Sequence, residues 1–274
     1  MKQRIISGVV GGGLTILALV FHSTVFFNIF VAVVSVIAVY EAMHSTRMVR
    51  NNALFAAALV YDAIAMFFPL MDLNISVLLS IVYVLAIMCI GLKFNRTIAV
   101  KEISFVVMLA VVVTLPFMIV AAFGRATDGV LALLITFGGA WFCDIGAYFV
   151  GSFFGSHKIA PVISPKKTYE GAVGGILANV ILFIILGAIW GGAVLENGES
   201  LNWILLIFLA VVTSFTGMLG DLSFSFIKRK CGIKDYGNLI PGHGGALDRF
   251  DSIIATAPVV CALLQIFPIV IRMV

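Results

Sequence analysis

Nine apolar runs, most of them near the length of a bilayer crossing, follow one another along this 274-residue chain. They lie near residues 5–21, 25–40, 53–70, 75–92, 104–123, 129–150, 171–193, 201–222 and 252–271. A helix needs about 20 mainly apolar residues to cross the hydrocarbon core. Inside that core every backbone N–H and C=O must be satisfied internally, so only helices and closed barrels span it. A barrel would show short segments of alternating apolar and polar residues, and none occur. With 62% hydrophobic and 11% charged residues, the chain is excluded from the soluble globular and disordered classes. The expected fold is an all-α polytopic membrane protein with about nine transmembrane helices. The second run is short for a crossing and is expected to tilt little or to be locally buried.

The first run follows Met-Lys-Gln-Arg but is not succeeded by an Ala-x-Ala-like cleavage site, so it reads as a retained helix. Four cysteines, Cys89, Cys143, Cys231 and Cys261, are scattered without a Cys-x-x-Cys pattern and indicate neither disulfides nor a zinc site. The net charge of +4 matters less than its placement, and no nucleic-acid partner is expected. On nine spans, 15 of the 17 Lys and Arg residues fall on one side, leaving Arg125 and Arg272 opposite. That asymmetry is the positive-inside signature and puts the N-terminus and both long polar segments in the cytoplasm. The chain divides into N-terminal transmembrane helices, 1–128, and a C-terminal catalytic membrane region, 129–274, with cytoplasmic loops 151–171 and 223–251.

Polar chemistry concentrates in that second half. The stretch Ser225–Asp251 holds eight of the thirty formal charges, a histidine and five glycines, more than a membrane bundle needs to fold. Three acids, Asp62, Asp144 and Asp221, lie in or at the ends of spans, where an unpaired carboxylate costs several kcal/mol. Asp62 has no polar companion on its own helix, and a packing residue satisfied by partners is the plain alternative to a functional one. If the eighth span stays helical to its cytoplasmic end, Gly217, Asp221, Ser225 and Lys228 share one face. Snorkelling alone would explain Lys228, Arg229 and Lys230, but not Asp221. Asp251 or Ser252 could simply cap the last helix, but one cap does not require three carboxylates nearby. Asp221 with Asp248 makes an oxygen donor pair suited to magnesium, which uses one or two carboxylates plus phosphate oxygens. Pro241-Gly242-His243-Gly244-Gly245 reads as a tight loop whose amides could approach a phosphate, though without a Walker A ending. Ser164 and Pro165 read as an N-cap and first helical position, which would set Lys166 and Lys167 at a helix N-terminus ready for an anion. Asp144, placed near the depth of Asp221, suggests a shared, cytoplasm-facing polar cavity.

Ser225-x-Ile227-Lys228-Arg229, Lys234-Asp235-x-Gly237, Pro241-x-His243-Gly244-Gly245 and Asp248-Arg249-x-Asp251 together resemble the signature of the phosphatidate cytidylyltransferases. Asp144-x-Gly146-Ala147-Tyr148 and Ser164-Pro165-Lys166-Lys167-Thr168-x-Glu170-Gly171 resemble two further blocks of that family. The resemblance covers about the last half of the chain. Ala246 and Tyr169 depart from it, standing where the family tends to carry a larger aliphatic residue and tryptophan. It implies CTP plus phosphatidic acid giving CDP-diacylglycerol and pyrophosphate, with magnesium required, at the inner face of a bacterial cytoplasmic membrane. The nucleophile is a lipid phosphate already ionised, so the demand is to bring two anions together and stabilise the departing pyrophosphate. On this reading Asp221 and Asp248 hold magnesium, and Lys228, Arg229, Lys234 and His243 neutralise the phosphates. Lys166 and Lys167 bind nucleotide or lipid phosphate. Ser225, Asp235, Gly244, Gly245 and Arg249 complete the substrate-binding set. Asp144 completes the metal cavity or holds a second cation. The family also implies a homodimer, for which the Gly8–Gly13 cluster offers a close-packing face. An ion-coupled transporter and a CTP-dependent lipid kinase are the alternatives; the sparse outer face argues against the first and the signature against the second.

Overall fold

The computed structural model describes residues 12–195, 199–238 and 244–272. Among them, eight helical stretches are long and apolar enough to cross a membrane. These are the second to ninth of the expected runs, and the chain is a polytopic α-helical membrane protein. The first run begins outside the described residues; its residues 12–20 form α1. Part of the glycine cluster, residues 8–11, also lies outside them, and a Cβ added at Gly12 or Gly13 would meet nothing within 4 Å.

The chain separates into two compact units, residues 1–127 with 230–250, and residues 128–229 with 251–274. In the first, α2 (Val25–Thr46) is followed by α3 (Asn52–Ala65), a 3-10 turn (Phe68–Leu70) and α4 (Leu73–Lys93). A further span combines α5 (Val100–Leu109), a π-turn (Ala110–Thr114) and α6 (Leu115–Phe123). The second run is not short after all. Helix α2 passes Tyr40 and continues through Glu41 and His44, ending at Arg47 with φ 53°. The π-turn has a local cause: Pro116 cannot donate to the carbonyl four residues back, so the ladder loosens just before it.

Several buried polar groups of this unit are bonded across to neighbouring helices. Asp62 is fully buried and accepts hydrogen bonds from Ser35 Oγ at 2.8 Å and Thr114 Oγ1 at 2.7 Å. Its partners come from α2 and the π-turn, which is the packing alternative raised by the sequence. Glu102 ties two helix starts together, accepting from Arg50 N at 2.7 Å, Asn51 N at 3.1 Å and Ala99 N at 3.4 Å. Asn51 in turn caps α3 through Ala53 N and Leu54 N.

The second unit is built on α7 (Gly129–Phe154), α8 (Tyr169–Ala193) and α9 (Trp203–Lys230). It also holds most of α10 (Leu247–Ile266), whose first turn belongs to the other unit. Two small hairpins interrupt the helices: β1 (Lys158–Ala160) with β2 (Ser164–Thr168), and β3 (Glu199–Leu201) with β4 (Val270–Arg272), both antiparallel. The last span therefore stops at Ile266 instead of running to 271, with Pro268 beyond it. Helices α7 and α8 approach closely because small residues line their seam. A Cβ at Gly146 would lie 2.6 Å from that of Ala178, and one at Gly175 would lie 2.7 Å from the Cys143 carbonyl.

Asn179 on α8 joins three of these helices. Its Nδ2 reaches Gly139 O at 3.2 Å, Ala210 O at 2.9 Å, Thr213 Oγ1 at 3.2 Å and Ser214 Oγ at 2.9 Å. Replacing it with leucine leaves these acceptors without their donor in an apolar interior. We expect Asn179→Leu to cost about 1–2 kcal/mol. That is a fall of a few degrees in thermal midpoint in detergent; an unchanged midpoint would show that the amide ties nothing together.

Candidate active site

Helix α9 stays regular through Lys230, so the start of the charged stretch is a continuation of a membrane helix and not a loop. Asp221, Ser225 and Lys228 then recur at helical spacing, as the sequence predicts. Asp221 Oδ2 pairs with Lys167 Nζ at 2.5 Å, and Ser225 Oγ donates to Asp221 Oδ1 at 3.3 Å. Lys228 is only 7% exposed and Ser225 equally so. Arg229 Nε donates to the Ile163 carbonyl at 3.4 Å, fixing the turn of the β1–β2 hairpin to α9.

The hairpin corrects one expectation and sharpens another. Ser164 and Pro165 do not start a helix; they lie in β2, where a proline φ fits extended backbone as well as a helical start. Helix α8 begins instead at Tyr169, with Thr168 as N-cap accepting from Gly171 N at 3.1 Å. Because side chains alternate along a strand, the adjacent lysines separate. Lys166 is exposed, while Lys167 turns inward to Asp221 and also donates to the Met218 carbonyl at 3.4 Å. Glu170 secures the base of the hairpin by accepting from Ser156 N at 3.1 Å and pairing with His157 Nδ1 at 2.6 Å.

Asp144 and Asp251 complete the cluster in this unit. Ser252 Oγ donates to Asp144 Oδ2 at 3.2 Å, and Ser252 N donates to Asp251 Oδ1 at 2.8 Å. Asp251 is buried and feels the charges of Asp221, Lys228 and Asp144. Since α10 starts at Leu247, Asp251 and Ser252 stand in its second turn and do not cap it. The capping alternative does not hold, because the helix starts a turn before Asp251, in polar sequence. Asp251 stands in the Asp248-Arg249-x-Asp251 block of the sequence, and the helix places it one turn after Leu247.

The remaining candidates belong to the first unit. Asp248, in the first turn of α10, accepts from Tyr236 N at 2.8 Å and Gly245 N at 3.0 Å, both through Oδ2. Gly244 has φ +89°, a conformation that favours glycine. Lys234, Asp235 and Arg249 are exposed. His243 lies outside the described residues. The sequence reading missed Glu41, which accepts from Leu247 N at 3.0 Å. An acid one residue past the assumed end of the second run was the available signal. A groove of about 730 Å³ in this unit, lined by Tyr61, Ser76, Ser80, Thr114 and apolar residues, contains none of the candidates.

Chemically, the second unit brings together three carboxylates, two lysines and two hydroxyls, all but Lys167 carried on helices. Among the described residues no three His, Cys, Asp or Glu side chains form a ready metal-binding group.

A profile of the cytidylyltransferase family matches residues 2–267. The chain is 40% identical over 142 residues to the phosphatidate cytidylyltransferase of Staphylococcus haemolyticus, covering 52% of each chain. It is 41% identical over 130 residues to that of Haemophilus influenzae, covering 47% of this chain and 44% of the relative. With that of Rickettsia bellii the identity is 46% over 119 residues, 43% of this chain and 51% of the relative. In these alignments the chain spans about half the length of the relatives it matches. The profile match, running almost end to end, makes this chain a member of the cytidylyltransferase family.

Proposed function

We propose that this protein transfers the cytidylyl group of CTP to phosphatidic acid, releasing pyrophosphate and forming CDP-diacylglycerol, at the cytoplasmic face of a bacterial inner membrane. The observation that carries the reading is the pair between Lys167 of β2 and Asp221 of α9, with Lys228, Asp144 and Asp251 around it on mainly apolar helices. Buried charges are costly unless paired, so a set of this size at membrane spans supports a functional role. The names of the relatives supply the chemistry for which such a set is suited.

In the reaction, a phosphatidate oxygen forms a bond to the α-phosphorus of CTP while the bond from that phosphorus to the bridging oxygen of the β-phosphate breaks. The leaving group carries its electron pair away as pyrophosphate. No strong base is needed, because the attacking phosphate is already ionised at neutral pH. The work is positioning and charge compensation. Lys167 and Lys228 neutralise anionic oxygens within the cluster, Arg229 holds the hairpin that presents Lys167, and Ser225 orients the Asp221 carboxylate. Lys234, His243, Arg249 and the Gly244–Gly245 amides bind substrate phosphates, and Asp235 belongs to the same substrate-binding set. In this scheme the polar cavity faces the cytoplasm and the protein works as a homodimer.

Magnesium fits the donors present. Asp221 and Asp144 offer hard carboxylate oxygens, the donor type magnesium takes together with phosphate oxygens. We assign it to Asp221 and, on the signature, to Asp248; Asp144 would complete that site or hold a second cation. When bound, the ion offsets charge on the triphosphate and on the departing pyrophosphate. The transporter alternative gains nothing from Asp62, whose carboxylate is held by Ser35 and Thr114.

Purified protein given CTP, phosphatidic acid and magnesium should yield CDP-diacylglycerol and pyrophosphate in equal amounts by mass spectrometry and phosphate assay. No lipid-linked cytidylate would refute the proposal, and chelation with EDTA should stop turnover. Asp221→Asn should lower kcat by about 10²-fold or more while leaving membrane insertion intact. Between the adjacent lysines, Lys167→Ala should cost about 10²-fold in kcat/KM. Lys166→Ala, removing an exposed cation, should cost less than about tenfold. Equal losses would contradict the division of roles that β2 imposes.

A further inference from the structure

We propose that Glu41 is a positioning residue that fixes the signature segment carrying Asp248; the proposal rests on the transferase reading above. Glu41 lies on α2, 206 residues from the amide it binds, and is 5% exposed. Its Oε2 accepts from Leu247 N at 3.0 Å, the first residue of α10. Helix N-termini present amides with no partner inside the helix, together with a partial positive charge, so a carboxylate there satisfies both. The backbone at Gly237 and at Gly245 lies so close to the same carboxylate that a Cβ at either position would overlap it.

One helical turn further along α2, Ser45 Oγ donates to the Tyr236 carbonyl. Tyr236 N and Gly245 N both donate to Asp248 Oδ2. The two flanks of the glycine-rich segment are thus joined through Asp248 and held against α2 by Glu41 and Ser45. All of these contacts lie within the first unit. Packing alone does not account for a carboxylate here. Its Oε1 is buried and has no hydrogen-bond partner among the described residues. A buried acceptor without a partner costs stability. What the group gains in exchange is a fixed anchor for the α10 N-terminus, against which two glycine backbones pack closely. The carboxylate of Asp248 is thereby held with its Oδ2 on two main-chain amides. Displacing a catalytic group by as little as 1 Å can cost about 10²-fold in rate.

The test compares native protein, Glu41→Ala and Glu41→Gln in detergent, using hydrogen–deuterium exchange and steady-state kinetics. Exchange in peptides covering 232–250 should rise about fivefold or more in Glu41→Ala, with the peptides of α7 and α8 unchanged. Its kcat should fall by about tenfold or more, while KM for phosphatidic acid stays within about twofold. Glu41→Gln, which keeps an acceptor for Leu247 N, should retain kcat within about threefold of native. Local exchange and kcat both unchanged in Glu41→Ala would overturn the proposal. So would a uniform rise in exchange with activity falling only as the folded fraction falls. If Glu41→Ala does not fold, a Glu41→Gln variant that folds yet loses activity as fully as Asp221→Asn overturns it, and near-native activity supports it. If native protein forms no CDP-diacylglycerol, the transferase reading fails, and the exchange arm alone still decides whether Glu41 holds the segment.

Discussion

A charge in an apolar helix bundle has to be compensated where it stands, and the organisation of the second unit follows from that constraint. Asp221 lies on a long apolar helix and is met by Lys167 at 2.5 Å. That contact requires Lys167 to point inward, and so requires the β1–β2 hairpin. The hairpin in turn requires Thr168 to start α8 and Glu170 to hold its base. A pair between 19% and 26% exposed side chains is worth little as stability. Its effect is that a cation and an anion are kept in fixed register at the end of α9.

The same rule governs the first unit with a different result. Asp62 is met by two hydroxyls from neighbouring segments and needs no substrate to explain it. Glu102 is spent on helix starts, and Glu41 on the N-terminus of α10. Three buried acids thus act as internal caps and ties, whereas the acids of the second unit gather around lysines. Similar residues in similar surroundings are divided by what is placed opposite them.

How far this could be read from sequence depends on the range of the interaction. The spans were legible because apolar length is a local property, and the Asp221, Ser225 and Lys228 face was legible because helical spacing is local too. The separation of Lys166 from Lys167 was not, since it depends on a strand that Ser164 and Pro165 mimic as a helix start. Asp251 was masked by a polar first turn that looked like loop. Glu41 and Asn179 were invisible for another reason: their partners lie 206 and 31 to 40 residues away, and no local pattern announces them. Nor could Asp62 be resolved without seeing Ser35 and Thr114 across the packing.

The central claim is that this charged cluster serves cytidylyl transfer and not phosphoryl transfer or transport, and the fate of the phosphates of CTP tests it most directly. Native protein would be incubated with phosphatidic acid, magnesium and CTP labelled either at the α- or at the γ-phosphate, followed by extraction of the lipid. The account predicts label in lipid from α-labelled CTP, and γ-label recovered only as water-soluble pyrophosphate. Label passing from the γ-phosphate into lipid, or no label in lipid from either nucleotide, would contradict it.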